Sequence, residues 1–216
     1  MLLLGLDTAT SATSVAAYDG TDVRGEITTV DARRHAELVG PAINDLLRNS
    51  GVAAGDITAV AVGVGPGPYT GLRVGVATAV ALADALGVPV HGVCTLDVLD
   101  RQAGHGEPLT VVTDARRREV FWATYDAAGA RTAGPFVSRP AAVAANAVGR
   151  VVGPATQLYA DVFGGAAPPF DLSAGALCAL VADRLDRGVP LLPARPIYLR
   201  RPDTAAPVAA KPVLQS

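Results

Sequence analysis

Residues 63–76 read GVGPGPYTGLRVGV, and the way this stretch folds decides the architecture around it. Just before it, DITAVAVGVG (56–65) is a nearly continuous apolar run, the pattern of a strand buried on both faces of a sheet. After it, residues 70–86 carry a helical pattern, with Gly87 and Pro89 just beyond its end. A strand, a glycine-rich loop and a helix in that order often cradle a phosphate on free backbone N–H groups. The glycines at 63, 65, 67 and 71 fit neither common fingerprint. Leu72 and Arg73 stand where GxxxxGK[ST] needs Lys and a hydroxyl, and Pro68, Tyr69 and Thr70 follow where GxGxxG needs its last glycine. Pro66 and Pro68 also remove two amide donors. A stiff elbow that aims the helix is the first reading, and a phosphate cradle is the alternative.

Working outward, MLLLGLDT (1–8), TSVAAYDG (13–20) and VRGEITTV (23–30) read as three strands. Residues 33–49 read as a helix with Leu38, Val39, Ala42, Ile43, Leu46 and Leu47 on one stripe, Pro41 inside it and Gly51 as its stop. VPVHGV (88–93) gives a further strand. From residue 108 the order returns. PLTVVTDA, EVFWATYD and RTAGPFVS read as strands, RPAAVAANAV as a helix and RVVGP as a short strand, with helices near 156–162 and 173–187. Three strands, helix, strand, helix, twice over, predicts a duplicated two-lobe α/β fold of the actin/sugar-kinase/Hsp70 (ribonuclease H-like) type. The first lobe is placed at 1–104, a degenerate second lobe at 105–190, and a proline-rich segment at 191–216 that docks back and ends in a mobile tail. Such a fold serves kinases, ATPases and inert scaffolds alike.

The totals narrow the classes. The 216 residues are 50% hydrophobic and 18% charged, a globular composition, with a net charge of −2. A chain that grips nucleic acid alone usually shows a clustered basic excess, and the totals show none. The clusters Arg116–Arg118 and Arg200–Arg201 leave assisted contact open. MLLLGLDTAT has no basic n-region, and the run from Val74 to Ala83 is far short of the ~20 residues of a membrane span. Cys94 and Cys178 sit among apolar neighbours and read as buried free thiols. A cytoplasmic protein without a membrane partner is expected.

Several residues carry open alternatives. Gly71, Gly75, Ala79 and Ala83 fall four apart, so one stripe of the 70–86 helix is nearly bare and a second helix can approach closely. That stripe serves either packing within the chain or a protein partner. Asp7, with Thr8 and Thr10 beside it, ends the first strand where this fold type places an acid near metal-bound phosphate. His35 is either a partly buried histidine or a partner contact. In DARRREVFWATYD (114–126), Asp114, Arg116 and Glu119 line the cleft between lobes, or Asp114 caps a turn and the arginines are solvated. Trp122 and Tyr125 read as core. No HExxH, HxxxH or GxSxG stretch is present, which argues against peptidase chemistry.

LGLDTAT, RRHAELVGPAINDLL, GVGPGPYTGLRVGVATAVALA, VTDARRREVFWATYD and PIYLR together resemble the bacterial TsaB (YeaZ) family over residues 1–200, with GPGPYTGLR as the most characteristic part. The resemblance implies a non-catalytic subunit of the machinery that makes threonylcarbamoyladenosine in tRNA. It would pair with its catalytic paralogue TsaD, and the ATPase TsaE would join. ATP and metal would belong to those partners, with no cofactor bound by this chain alone, and tRNA would be met only through the complex. TsaD-like proteins carry an NHLEGH stretch whose two histidines bind the metal; here the matching positions hold Thr95 and Leu99. The partner surface is expected on the helices, at His35, Leu38, Ala42, Gly71, Gly75, Thr78, Ala79 and Leu82, and the same surface would form a homodimer in isolation. The residues of a vestigial nucleotide site would be Asp7, Thr8 and Asp114. The alternative is an independent nucleotide-dependent phosphotransferase or ATPase using Asp7.

Overall fold

The computed structural model describes residues 1–199. One sheet contains β1 (Leu3–Asp7), β2 (Ala12–Tyr18), β3 (Val23–Val30), β4 (Ala59–Gly63) and β5 (Val90–Val93), in the order β3-β2-β1-β4-β5. The other contains β6 (Leu109–Asp114), β7 (Val120–Tyr125), β8 (Arg131–Ser138) and β9 (Arg150–Val152), in the order β8-β7-β6-β9. In each, the first strand is antiparallel to the second and parallel to the fourth. The plan is one three-stranded meander plus a parallel strand, used twice. This is the duplicated ribonuclease H-like α/β fold of the actin/sugar-kinase/Hsp70 class, with the second copy one strand short.

The helices are α1 (His35–Ser50), α2 (Tyr69–Leu86), α3 (Thr95–Ala103), α4 (Pro140–Asn146), α5 (Ala155–Leu158), α6 (Ala160–Phe163) and α7 (Ala174–Asp186). Strand alternation assigns them to layers. On the first sheet Leu4, Leu6, Val60 and Val62 face one core with α1 and α2, while Leu3, Ala59 and Ala61 face another. That second core is shared with Leu109, Val111 and Tyr125 of the other sheet and with α3 and α7. Val112 and Val120 turn the opposite way, towards α4 and α5. Five layers result. The boundary expected at residue 104 divides the chain but not the packing, because α3 lies against β6 and β7 while α7 lies against β1, β2 and β4.

Left-handed glycines end α1 and α2, at Gly51 (φ 68°) and Gly87 (φ 67°), where the sequence placed the stops. Cys94 and Cys178 are buried free thiols. Tyr125 is core, whereas Trp122 is half-buried and packs on Phe136 with ring centroids 5.2 Å apart. The segment from residue 191 docks on the first lobe. Gly92 and Leu192 exchange two backbone hydrogen bonds of 2.8 and 2.9 Å, and the Ile197 amide donates to the Val64 carbonyl at 2.8 Å. Arg200, Arg201 and the tail expected to be mobile lie outside the described residues.

Of the two readings left open for the stripe, packing within the chain accounts for its burial. The bare stripe of α2 faces inward: Gly71, Gly75, Ala79 and Ala83 are buried by the chain itself. A Cβ at Gly75 would overlap the Thr8 hydroxyl, and one at Gly71 would crowd the Thr8 carbonyl and the His35 ring. His35 and Ala42 are buried as well. The helix lies so close to the end of β1 and the start of α1 that side chains on this stripe have no room. These five members of the expected partner surface, His35, Ala42, Gly71, Gly75 and Ala79, are therefore used inside the monomer. Leu38, Thr78 and Leu82 remain half-exposed. Gly75→Ala is expected to lower the unfolding free energy by about 1–3 kcal/mol through overpacking, although Ala is the better helix former by roughly 1 kcal/mol. Urea melts followed by circular dichroism measure it, and a neutral outcome would mean that the stripe is not closed.

Candidate functional site

The acid at the end of β1 is the natural starting point. Asp7 is 1% exposed, and both of its carboxylate oxygens are engaged. Oδ1 accepts from the Ala9 amide at 2.6 Å, and Oδ2 accepts from the Thr95 hydroxyl at 2.8 Å. Thr95 Oγ1 in turn accepts from the Gly65 amide at 3.1 Å. The carboxylate lies flat on Gly63, where any Cβ would overlap it. Burial pushes the Asp7 carboxyl up to about 6, and the Ala9 and Thr95 hydrogen bonds pull it partly back. Thr8 is committed in the same way: its hydroxyl donates to the Gly71 carbonyl inside α2 at 2.6 Å.

His35 Nδ1 meets the Thr13 hydroxyl at 2.8 Å, and burial lowers its pKa, which favours the neutral imidazole. Asp114 stands apart from Asp7. Its Oδ1 accepts the Arg116 amide at 2.8 Å, and its Oδ2 lies 3.3 Å from the Arg116 guanidinium. Asp114 thus caps the turn and, with Arg116, also lines the cleft between the lobes, joined there by Thr10 and Ser11 but not by Asp7 or Thr8. The structure does not bring the three expected vestigial-site residues to one surface. Sequence reasoning missed the pairing of Thr95 with Asp7, two residues it had marked separately. It also missed the backbone of Arg116, Arg117 and Arg118, all left-handed at φ 60°, 55° and 59°. No group of three or more His, Cys, Asp or Glu side chains able to hold a metal occurs among the described residues.

A family model described as TsaD, tRNA N6-adenosine threonylcarbamoyltransferase, matches residues 15–162. The solved structure of YeaZ from Pseudomonas aeruginosa superposes with a TM-score of 0.76 at 31% identity, covering 92% of this chain and 99% of that one. The chain belongs to the TsaB (YeaZ) family. A protein of Escherichia coli K12 named tRNA threonylcarbamoyladenosine biosynthesis protein TsaB is 38% identical over 128 residues, 58% of this chain and 55% of that protein. An uncharacterized protein of Mycobacterium leprae is 44% identical over 97% of this chain, which spans 57% of that relative's length.

Within the TsaB family reading, the first of the two positions matched to the paralogue's metal histidines acquires a physical role. Thr95 is fully buried and ties the start of α3 to β1 and to the glycine loop. Leu99, at the second position, is fully buried in the core between the sheets. The loop amide at Gly65 therefore binds a threonine hydroxyl, and the acid of β1 binds the same hydroxyl.

Removing that hydroxyl in the isosteric Thr95→Val orphans the Gly65 amide and one Asp7 oxygen. The Asp7 pKa already lies above its unfolded value of 3.8, so its contribution to stability is full below about 4 and is lost as pH rises through about 6. The variant raises that pKa further. It is expected to cost about 2–4 kcal/mol at pH 8 and distinctly less at pH 5, where Asp7 is protonated. Urea melts at both pH values read the difference, and an equal cost at each would show that the Asp7 charge is not involved.

Proposed function

We propose that the chain is the non-catalytic pairing subunit of the bacterial machinery that makes threonylcarbamoyladenosine in tRNA, acting beside a TsaD-type catalytic paralogue in the cytoplasm. Membership of the TsaB family supports this reading, and one observation carries it. The Asp7 carboxylate is enclosed, with one oxygen on the Ala9 amide and the other on the Thr95 hydroxyl, which leaves it unexposed to a metal-bound phosphate. ATP and metal then belong to the partner subunits, with TsaE as the ATPase of the assembly, and tRNA is modified only in the complex. No helix among the described residues is long and apolar enough to cross a membrane.

The pairing surface is the outer side of α2 together with the half-exposed edge it shares with α1, at Leu38, Thr78 and Leu82. Arg73, Ala77, Val80, Ala81 and Asp84 line a shallow apolar groove of about 560 Å³, closed on one side by Pro196 and Tyr198. Tyr69, Val80 and Tyr198 are each more than 40% exposed, and Tyr69 packs on Tyr198 at 5.1 Å. Arg73 and Asp84 stand roughly 16 Å apart along the helix, at a rise of about 1.5 Å per residue. A two-fold or pseudo-two-fold partner of the same fold can place an acid on Arg73 and a base on Asp84 simultaneously. The same geometry lets two copies of this chain pair when the paralogue is absent.

Val80→Asp sets a charge in the middle of this groove without touching the core. It is expected to weaken association with TsaD by about 100-fold or more and to leave the melting curve unchanged. Light scattering of the chain with and without TsaD, beside a threonylcarbamoylation assay, decides the outcome. Normal pairing by the variant would rule out the α2 face. If the wild-type chain modified tRNA alone, the non-catalytic reading would fail.

A further inference from the structure

The two sheets have four edges, and three of them are blunted. Leu192 meets β5, exchanging two backbone hydrogen bonds with Gly92. Pro135 and two shifts of register against β7 interrupt β8. β9 is three residues long. β3 is different: it has eight residues, no proline, and is exposed along most of its length. Beyond its ladder with β2, its backbone makes no hydrogen bond among the described residues. An open edge of that length is a template for a further strand, and folded chains usually guard it with a free charge, a proline or a cover. Neither charge on β3 is free to do so. Asp19 holds Arg24 at 2.7 Å, and the Ser14 and Ser173 hydroxyls hold the Glu26 carboxylate at 3.1 and 3.0 Å.

The strand is also complementary to itself. Tyr18 stands opposite Val23 and Ala17 opposite Gly25, so Arg24 is the extra residue of a bulge. The bulge brings Val23 to the face that carries Glu26, Thr28 and Val30, and a Cβ on Gly175 of α7 would touch both Val23 and Glu26. In the turn before β3 the Asp19 amide donates to the Asp22 carbonyl at 3.1 Å. Alternation from that bonded pair points the amides and carbonyls of Val23, Glu26, Thr28 and Val30 away from β2. A two-fold axis normal to the sheet at Ile27 sets a second β3 antiparallel to the first. Glu26 then lies opposite Thr28 of the second copy, and Val30 opposite its Val23. Val23 and Val30 are 45% and 61% exposed, so this register covers the two exposed valines of the strand with each other. It sets no like charges face to face.

We infer that β3 pairs with β3 of a second copy of this chain, joining two five-stranded sheets into one continuous sheet. α2 packs on β4, β1 and β5, towards the other end of the sheet, so this edge is open whether or not the outer side of α2 is occupied. The inference does not rest on the pairing role. Pairing along one strand covers less than the roughly 1,200 Å² of a stable interface, so the dimer is weak, with a Kd of about 10–100 µM.

The test is sedimentation velocity of the full chain carrying Val80→Asp, which removes association through α2, at concentrations up to about 500 µM. A reversible monomer–dimer equilibrium is expected. Thr28→Pro deletes an outward amide, and Val30→Lys sets a charge opposite Val23; each is expected to raise the Kd about tenfold or more. Val30→Lys, at an exposed position, is expected to leave the melting curve unchanged. Ile27→Cys lies on the axis and is expected to give a disulfide-linked dimer under mild oxidation, whereas Thr29→Cys, displaced from its own copy along the strand, is not. A chain that stays monomeric in the Val80→Asp background would overturn the inference and leave self-association to α2. A dimer that Val30→Lys does not weaken, or cross-linking through Thr29→Cys in place of Ile27→Cys, would overturn it as well.

Discussion

The hydroxyl of Thr95 holds the first lobe in register. It donates to Asp7 at the end of β1 and accepts from Gly65 in the loop after β4, while its own backbone starts α3. Three segments far apart in sequence meet at one oxygen. Each partner is a polar group that could not be buried unpaired without a penalty of about 1–3 kcal/mol, and more for the carboxylate. The contact also explains the first glycine of the loop. Gly63 is required because the Asp7 carboxylate lies against its α-carbon. A glycine that would elsewhere admit a phosphate here admits an aspartate of the same chain.

The second constraint sits within a turn of the first. Asp97, two residues along α3, accepts from the Tyr125 hydroxyl at 2.8 Å and from the Arg184 guanidinium at 2.9 Å, with Arg131 at 3.4 Å. Those three partners lie on β7, α7 and β8. One turn of α3 therefore bonds the first lobe through Thr95 and the second lobe, with α7, through Asp97. The exchange of α3 and α7 between the sheets makes relative motion of the lobes costly, since opening the cleft would strain both polar contacts and the shared apolar core. A rigid body of this kind can bias a partner's conformation only through differential affinity for it, and rigidity lowers the ordering cost of presenting a surface.

Much of this was legible in the sequence, for reasons that also mark the limit. The strands of both sheets and the helices α1, α2, α4 and α7 were read close to their bounds, because their apolar periods and glycine stops are local signals. The helix α3 escaped as a helix. Thr95 to Asp100 are all buried, Asp97 and Asp100 among them, so the charged positions of TLDVLDRQA do not mark a solvent face, and nine residues are short for a periodic signal. The stripe on α2 was seen, but its direction was not. A row of Gly and Ala looks the same whether the close neighbour is a partner or Thr8 of the same chain. Asp7 and Thr95 were each singled out by analogy with a catalytic site, yet their bond joins positions 88 residues apart and has no local signature. The left-handed arginines are equally silent, since Arg has no preference for that conformation.

An enclosed acid at the end of β1 leaves two ways to finish a cleft between two lobes. The cleft can fill with apolar side chains, which favours stability, or it can stay open. Here Asp7 and Thr95 are enclosed, while the cleft keeps a cavity with the unpartnered Thr113 hydroxyl and two exposed apolar side chains at its rim. Three successive arginines in left-handed backbone add strain of order 1 kcal/mol or more each. Stability alone explains neither the threonine nor that turn, because valine at 113 and a glycine in the turn would each be the better choice for folding. The cavity at the cleft is thus a feature that folding alone does not account for.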